Sequence, residues 1–159
     1  MRVKLEWLNE LVDLTGLSLD DIVNTVSLYS IEVEGVDNMV HASDIVIGHV
    51  LTKNPHPDSD HLNLLTVDGK DEVLNIVCGA PNVEAGQYVI VAKIGCELDG
   101  FTIKKSKIRG YESCGMVCSL QELGIEKKYV EEKYANGIYY FEDKVEVGQN
   151  GAEALNLHD

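Results

Sequence analysis

Aromatic side chains are scarce in this chain. They make up 6% of 159 residues, and between Ile45 and Leu120 only Tyr88, Phe101 and Tyr111 occur. Sites that hold unpaired bases stack them on successive rings, each worth about 1–3 kcal/mol. Three scattered rings, some of them needed in a core, exclude such a platform. Long apolar runs are missing as well, so no membrane-spanning helix is expected. Trp7, Asn9 and Glu10 interrupt the opening residues, which excludes a secretory leader and makes the cytoplasm the expected location. The four cysteines (Cys78, Cys96, Cys114 and Cys118) are too few for a disulfide framework in a chain of this size. Positive charge is also in deficit: 13 Lys and Arg stand against 27 Asp and Glu, a net charge of −14. A broadly basic surface of the kind free nucleic-acid binders use is therefore excluded.

The charge that is present is unevenly distributed. Residues 93–109 hold five basic and two acidic groups, whereas residues 1–92 hold four and 15, and residues 110–159 hold four and ten. One cationic stretch, centred on Lys104, Lys105, Lys107 and Arg109, thus sits in an acidic chain. Such a pattern confines contact with a polyanion to one face and repels it elsewhere. A plain solvated strand explains the same stretch. Strand alternation over 104–109 would put Lys105, Lys107 and Arg109 on one side and Ile108 on the other.

Periodicity divides the chain. Leu5, Leu8, Leu11 and Val12 predict a short helix over 5–13 after a brief strand at Val3, with Gly16 as its stop. Ser18 and Asp21 form a capping-box signature ahead of Leu19, Ile22, Val23 and Val26, which predict a second helix. Ile31 and Val33 alternate with Glu32 and Glu34 as in a half-wet strand. From Ser43 the period turns to β: strands are expected over 45–51, 62–67, 73–77, 88–92, 101–103, 116–118 and 138–141. Asp68-Gly69 and Asp99-Gly100 are tight-turn signals. Short strands with Gly-rich turns fit a small Greek-key barrel.

Two blocks carry special turns: Ile76-Val-Cys-Gly-Ala-Pro-Asn82, and Arg109-Gly-Tyr-Glu-Ser-Cys-Gly-Met-Val-Cys-Ser119, closed by Glu122-Leu123-Gly124. Around Met116, the small residues Gly110, Gly115 and Ser119 could cradle a phosphate through backbone N–H groups. They could equally form a turn that closes the barrel. Neither block is a P-loop, since the G-x-x-x-x-G-K-[ST] pattern is absent. Cys114 and Cys118 lack the spacing and the second pair of a zinc site, and no histidine lies nearby to activate a thiol. His56-Pro-Asp-Ser-Asp-His61 approaches a dinuclear-metal pattern, but Asp58 stands where a second histidine would be needed. No metal site and no catalytic set is expected.

These blocks resemble the OB-type tRNA-binding domain found in several synthetases and in free tRNA-binding proteins. Met1-Arg-Val-Lys-Leu-Glu-Trp-Leu-Asn-Glu-Leu-Val-Asp-Leu14 and Tyr29-Ser-Ile-Glu-Val-Glu-Gly35 narrow the resemblance to the N-terminus of the bacterial phenylalanyl-tRNA synthetase β subunit. It implies a mainly β fold with an α+β part: an OB-type Greek-key barrel over 39–149 and a small N-terminal α+β segment over 1–38, to which 150–159 return. It implies an auxiliary contact with the backbone of tRNA-Phe by charge and shape. The expected contact residues are Lys104, Lys105, Lys107, Arg109, Ser113, Ser119, Asn82 and His56. His56 belongs to the loop after the first barrel strand; His61 stands where such domains usually carry a basic residue, which weakens a phosphate contact there. The resemblance also implies a parent α2β2 ligase using ATP and Mg²⁺, with its active-site and proofreading residues in domains other than this one. No cofactor, DNA or membrane is expected for the chain itself. Two alternatives remain: a scaffold module whose barrel face binds protein, and a stand-alone tRNA-binding protein.

Overall fold

The computed structural model describes residues 3, 5–30, 32–33, 45–98 and 100–158, without the side chains of residues 6, 7 and 156–158. The chain divides into two compact units, residues 1–38 with 159, and residues 39–158.

In the first unit the helical spacing produces α1 (Leu5–Leu11) and α2 (Leu19–Tyr29). Gly16, at φ 83°, makes the turn between them, a conformation that costs glycine little because it has no Cβ. The predicted capping box forms. Ser18 Oγ accepts the Asp21 N–H at 3.2 Å, and Asp21 Oδ2 accepts the Ser18 N–H at 3.0 Å. Two otherwise orphaned donors are satisfied in this way. Val3 lies in irregular chain, and the strand expected at 31–34 lies partly outside the described residues.

The second unit is mostly β. Its main strands are β1 (Ile45–Pro55), β2 (Asn63–Asp68), β3 (Val73–Cys78) and β4 (Tyr88–Lys93). Short strands follow as β5 (Glu97–Leu98), β6 (Phe101–Thr102), β7 (Ser106–Ile108), β8 (Tyr111–Ser113), β9 (Gly115–Val117) and β10 (Tyr140–Phe141), with α3 (Gly151–His158) last. The main sheet is antiparallel, in the order β10-β4-β1-β2-β3, and β9 also pairs with β4. β1 serves two partners: residues 45–49 pair with β4, and residues 49–55 with β2, across a register shift between Val50 and Thr52. A bulge of this kind bends a strand and tightens its twist, which lets one strand turn a barrel corner. The free edge of β3 meets residues 113–114. Asn75 C=O accepts the Cys114 N–H at 2.8 Å, and Ser113 Oγ accepts the Val77 N–H at 3.1 Å. The result is a nearly closed barrel of the OB type, the fold class read from the strand pattern.

The barrel interior holds Val50, Leu65, Val67, Leu74, Ile76, Val89, Val91, Val117 and Ile138. Gly48 is required there, because a Cβ would fall 2.7 Å from methyls of both Val67 and Val91. β1 and β4 are buried on their outer side too. Ile45, Ile47, Ile90 and Ala92 pack with Leu120, Leu123, Ile125, Tyr134, Phe141 and Leu155. A strand covered on both faces reads as a continuous apolar run, as Val89-Ile-Val-Ala92 does. The described part of 150–159, expected to join the opening segment, lies in this second unit. Asn150 Oδ1 accepts the N–H groups of Ala152 and Glu153 at 2.9 and 3.2 Å as the N-cap of α3, and Ala154 and Leu155 enter the outer core beside Ile45.

Candidate nucleic-acid interface

The stretch 104–109 differs from the single strand that alternation predicts. Lys104 and Lys105 lie in irregular chain, and only Ser106–Ile108 are extended. Arg109 and Gly110 then form a two-residue hairpin turn at φ 47° and 90°, the pair of positive values that a type I′ turn requires. Arg109 therefore projects from a turn and not from a strand face. The cause is the return of the chain: β8 pairs back in the register Ser106↔Ser113, Lys107↔Glu112 and Ile108↔Tyr111.

All four cations are exposed. Lys105 Nζ lies 3.0 Å from Glu112 Oε2. The hydrogen bond that Lys105 donates to Glu112, and then the Glu112 charge, hold the pKa of the Lys105 ammonium above its ordinary value. Exposed pairs of this kind add little stability and are easily exchanged for another anion. Lys104 and Lys107 make no ion pair among the described residues. The Arg109 guanidinium donates to the Asp58 carbonyl oxygen, leaving its other N–H groups for a ligand.

His56 lies beside the same hairpin but is 2% exposed. Its Nδ1 accepts the Asp58 N–H at 3.0 Å, and its Nε2 faces the Ile108 carbonyl oxygen at 3.4 Å. The ring meets Tyr111 edge-on at 4.9 Å. Both nitrogens are engaged by backbone.

The remaining expected residues are partnered by backbone as well. Ser113 is 2% exposed; besides accepting the Val77 N–H, its hydroxyl donates to Gly115 C=O at 3.1 Å. Asn82 bridges both backbone groups of Ile138. Its Nδ2 donates to Ile138 C=O, and its Oδ1 accepts the Ile138 N–H, each at 2.9 Å. Ser119 forms a small capping box with Glu122. Glu122 Oε2 accepts the Ser119 N–H at 2.7 Å and its hydroxyl at 2.9 Å. Ser119 and Glu122 line a cleft of about 450 Å³, together with Gly79, Met116, Asn136 and Ile138.

The structure thus brings Lys104, Lys105, Lys107, Arg109 and His56 into one neighbourhood, and sets Ser119 on a separate cleft with Asn82 bonded to its wall. Asp58, Tyr111 and Glu112 were missed as members of the first. The signal was the hairpin: recognising Arg109-Gly110 as its turn places Glu112 opposite Lys107. Cys78 lines the cleft and Cys118 lies outside its lining; neither is an activated thiol. Burial pushes the Cys78 thiol up, and burial followed by the Glu122 charge does the same to Cys118, whereas a reactive thiol needs a lowered pKa. Among the described residues no three His, Cys, Asp or Glu side chains converge as metal ligands.

Residues 45–150 match the family described as "Putative tRNA binding domain". The whole chain is 49% identical to the phenylalanine–tRNA ligase β subunit of Halalkalibacterium halodurans and 48% identical to that of Geobacillus kaustophilus, covering 20% of each. It spans 20% of the length of these curated relatives. A MetRS-related protein from Pyrococcus horikoshii is similar in structure at a TM-score of 0.47 and 21% identity, over 65% of this chain and 84% of that one. The chain belongs to the tRNA-binding domain family.

Proposed function

We propose that the chain is the N-terminal part of a phenylalanine–tRNA ligase β subunit and gives that enzyme an auxiliary contact with the tRNA backbone. The contact is made by Lys104, Lys105, Lys107 and Arg109. The supporting observation is that these four cations are all exposed on one hairpin stretch of an otherwise acidic chain, three of them without an ion pair among the described residues. With few rings available, binding rests on charge and shape, as in proteins that meet folded RNA. His56, Ser113, Ser119 and Asn82 act through the backbone they hold, keeping the barrel seam and the loops in place.

The parent enzyme joins phenylalanine to tRNA-Phe with ATP and Mg²⁺, as a cytoplasmic α2β2 assembly with the α subunit. Those steps belong to domains outside this chain. Among the described residues no helix is long and apolar enough to cross a membrane.

Titrating the 159-residue chain with tRNA at several salt concentrations tests the reading. With three to four phosphate contacts at most, some of them weak, log affinity falls by about 2–3 per log unit of salt. The Lys107→Ala, Arg109→Ala double variant weakens binding and flattens that slope. An absence of binding at about 50 mM salt, where electrostatic contacts are strong, supports the scaffold reading, in which the barrel face meets protein.

A further inference from the structure

We infer that His56 is a positioning residue for Arg109: it latches the loop after β1 to the β7–β8 turn, so the guanidinium is held where the RNA contact needs it. This rests on the proposal that the 104–109 stretch contacts RNA.

The loop is built to present His56. Pro57 fixes its own φ near the value a type I turn needs at its second position. The turn closes through the Ser59 N–H on His56 C=O at 3.2 Å, and the loop closes through the His56 N–H on Leu62 C=O at 2.9 Å. Within the turn, Nδ1 accepts the Asp58 N–H, as an Asx side chain does two residues from its own position. That bond fixes the tautomer: Nδ1 is the acceptor, so Nε2 carries the proton and donates to Ile108 C=O. Ile108 immediately precedes Arg109. In the opposite direction, Arg109 donates to Asp58 C=O. Loop and hairpin are therefore joined twice, through residues 56 and 58 on one side and 108 and 109 on the other. Tyr111 closes the ring's exposed edge.

A two-residue turn between three-residue strands has little rigidity of its own. An arginine on such a turn loses side-chain freedom when it binds a phosphate, and a prior tether reduces that loss. His56 is thus recruited to the RNA face without touching RNA.

The variants separate its two nitrogens. His56→Asn retains an acceptor for the Asp58 N–H but cannot reach Ile108. His56→Gln carries an amide N–H with the reach of Nε2. In the free chain, His56→Asn speeds amide hydrogen exchange at residues 108–113 several-fold and leaves β1–β4 unchanged, and His56→Gln restores much of the protection. With tRNA at about 50 mM salt, His56→Asn and Arg109→Ala each lower affinity about tenfold and reduce the salt slope by about 1. The double variant binds no worse than Arg109→Ala alone, because both changes remove one contact.

Unchanged exchange at 108–113 in His56→Asn overturns the latch, and so do losses that add in the double variant. If Arg109→Ala leaves affinity unchanged, the RNA-contact reading fails, and the exchange comparison alone then decides the latch. Should His56→Asn not fold, the ring of the unaltered chain decides by nitrogen NMR: a proton on Nε2 with Nδ1 bare supports the latch, and a proton on Nδ1 overturns it.

Discussion

The cationic hairpin and the seam beside the cleft use polar side chains in opposite ways. On the hairpin, Lys104, Lys107 and Arg109 face water with most of their donors unclaimed. At the seam and the cleft, Ser113, Ser119 and Asn82 complete the backbone's own hydrogen bonding. Ser113 stands in for a missing strand partner of β3, and Asn82 behaves as one more rung beside Ile138. A barrel of short strands closes imperfectly, and small polar side chains fill the gaps that regular pairing leaves. Glycine-rich blocks with hydroxyls can therefore look like ligand cradles when their role is to finish the sheet.

The contrast predicts two classes of mutational effect. The largest stability loss falls at the seam. Asn82→Ala orphans both backbone groups of Ile138 and destabilises the chain by about 2–4 kcal/mol, read as a fall in the chemical-denaturation midpoint with the salt slope of tRNA binding unchanged. Ser113→Ala leaves the Val77 N–H unpaired and destabilises by about 1–3 kcal/mol, with the same silence in binding. On the hairpin the order reverses. Lys107→Ala changes stability by less than about 0.5 kcal/mol, yet reduces the salt slope by about 1. Glu112→Gln releases Lys105 and removes a negative charge from the face, raising tRNA affinity about twofold, within the range of an exposed pair. A binding loss from Asn82→Ala as steep in salt as that from Lys107→Ala would erase the distinction between the regions.

A pH effect is expected from the buried thiols. Burial raises the folded-state values of Cys78 and Cys118. In the unfolded chain these thiols ionise near about pH 8.5, whereas the folded chain keeps them neutral. Their contribution to stability is complete below that pH and declines as pH rises toward the folded values. Denaturation midpoints measured from about pH 7.5 to 10 should fall, and Cys118→Ala should lessen the fall.

Much of the barrel was legible because period-two burial is strong in β2 and β3, and Asp68-Gly69 marks their turn. The capping box of α2 was legible for a similar reason: Ser18 and Asp21 act locally. The hairpin escaped because alternation continues through Lys105, Lys107 and Arg109 as though the strand did not end. Arg109-Gly110 lacks the usual Asn-Gly or Asp-Gly signature, so an arginine at positive φ was invisible. The burial of His56, expected as a contact residue, escaped for a different reason. A histidine in a polar loop reads as exposed, and only the folded hairpin supplies the Ile108 carbonyl and Tyr111 ring that bury it. Long-range partners such as Val77 with Ser113 and Asn82 with Ile138 are likewise products of closure, and no local pattern encodes them.

The most direct test maps amide chemical shifts of the 159-residue chain as tRNA is added at about 50 mM salt, where charge contacts dominate. The account predicts perturbations concentrated at residues 104–113 and in the loop at 55–62, fading as salt is raised. Perturbations centred instead on residues 79–82, 119–122 and 136–138, and persisting at high salt, would contradict it.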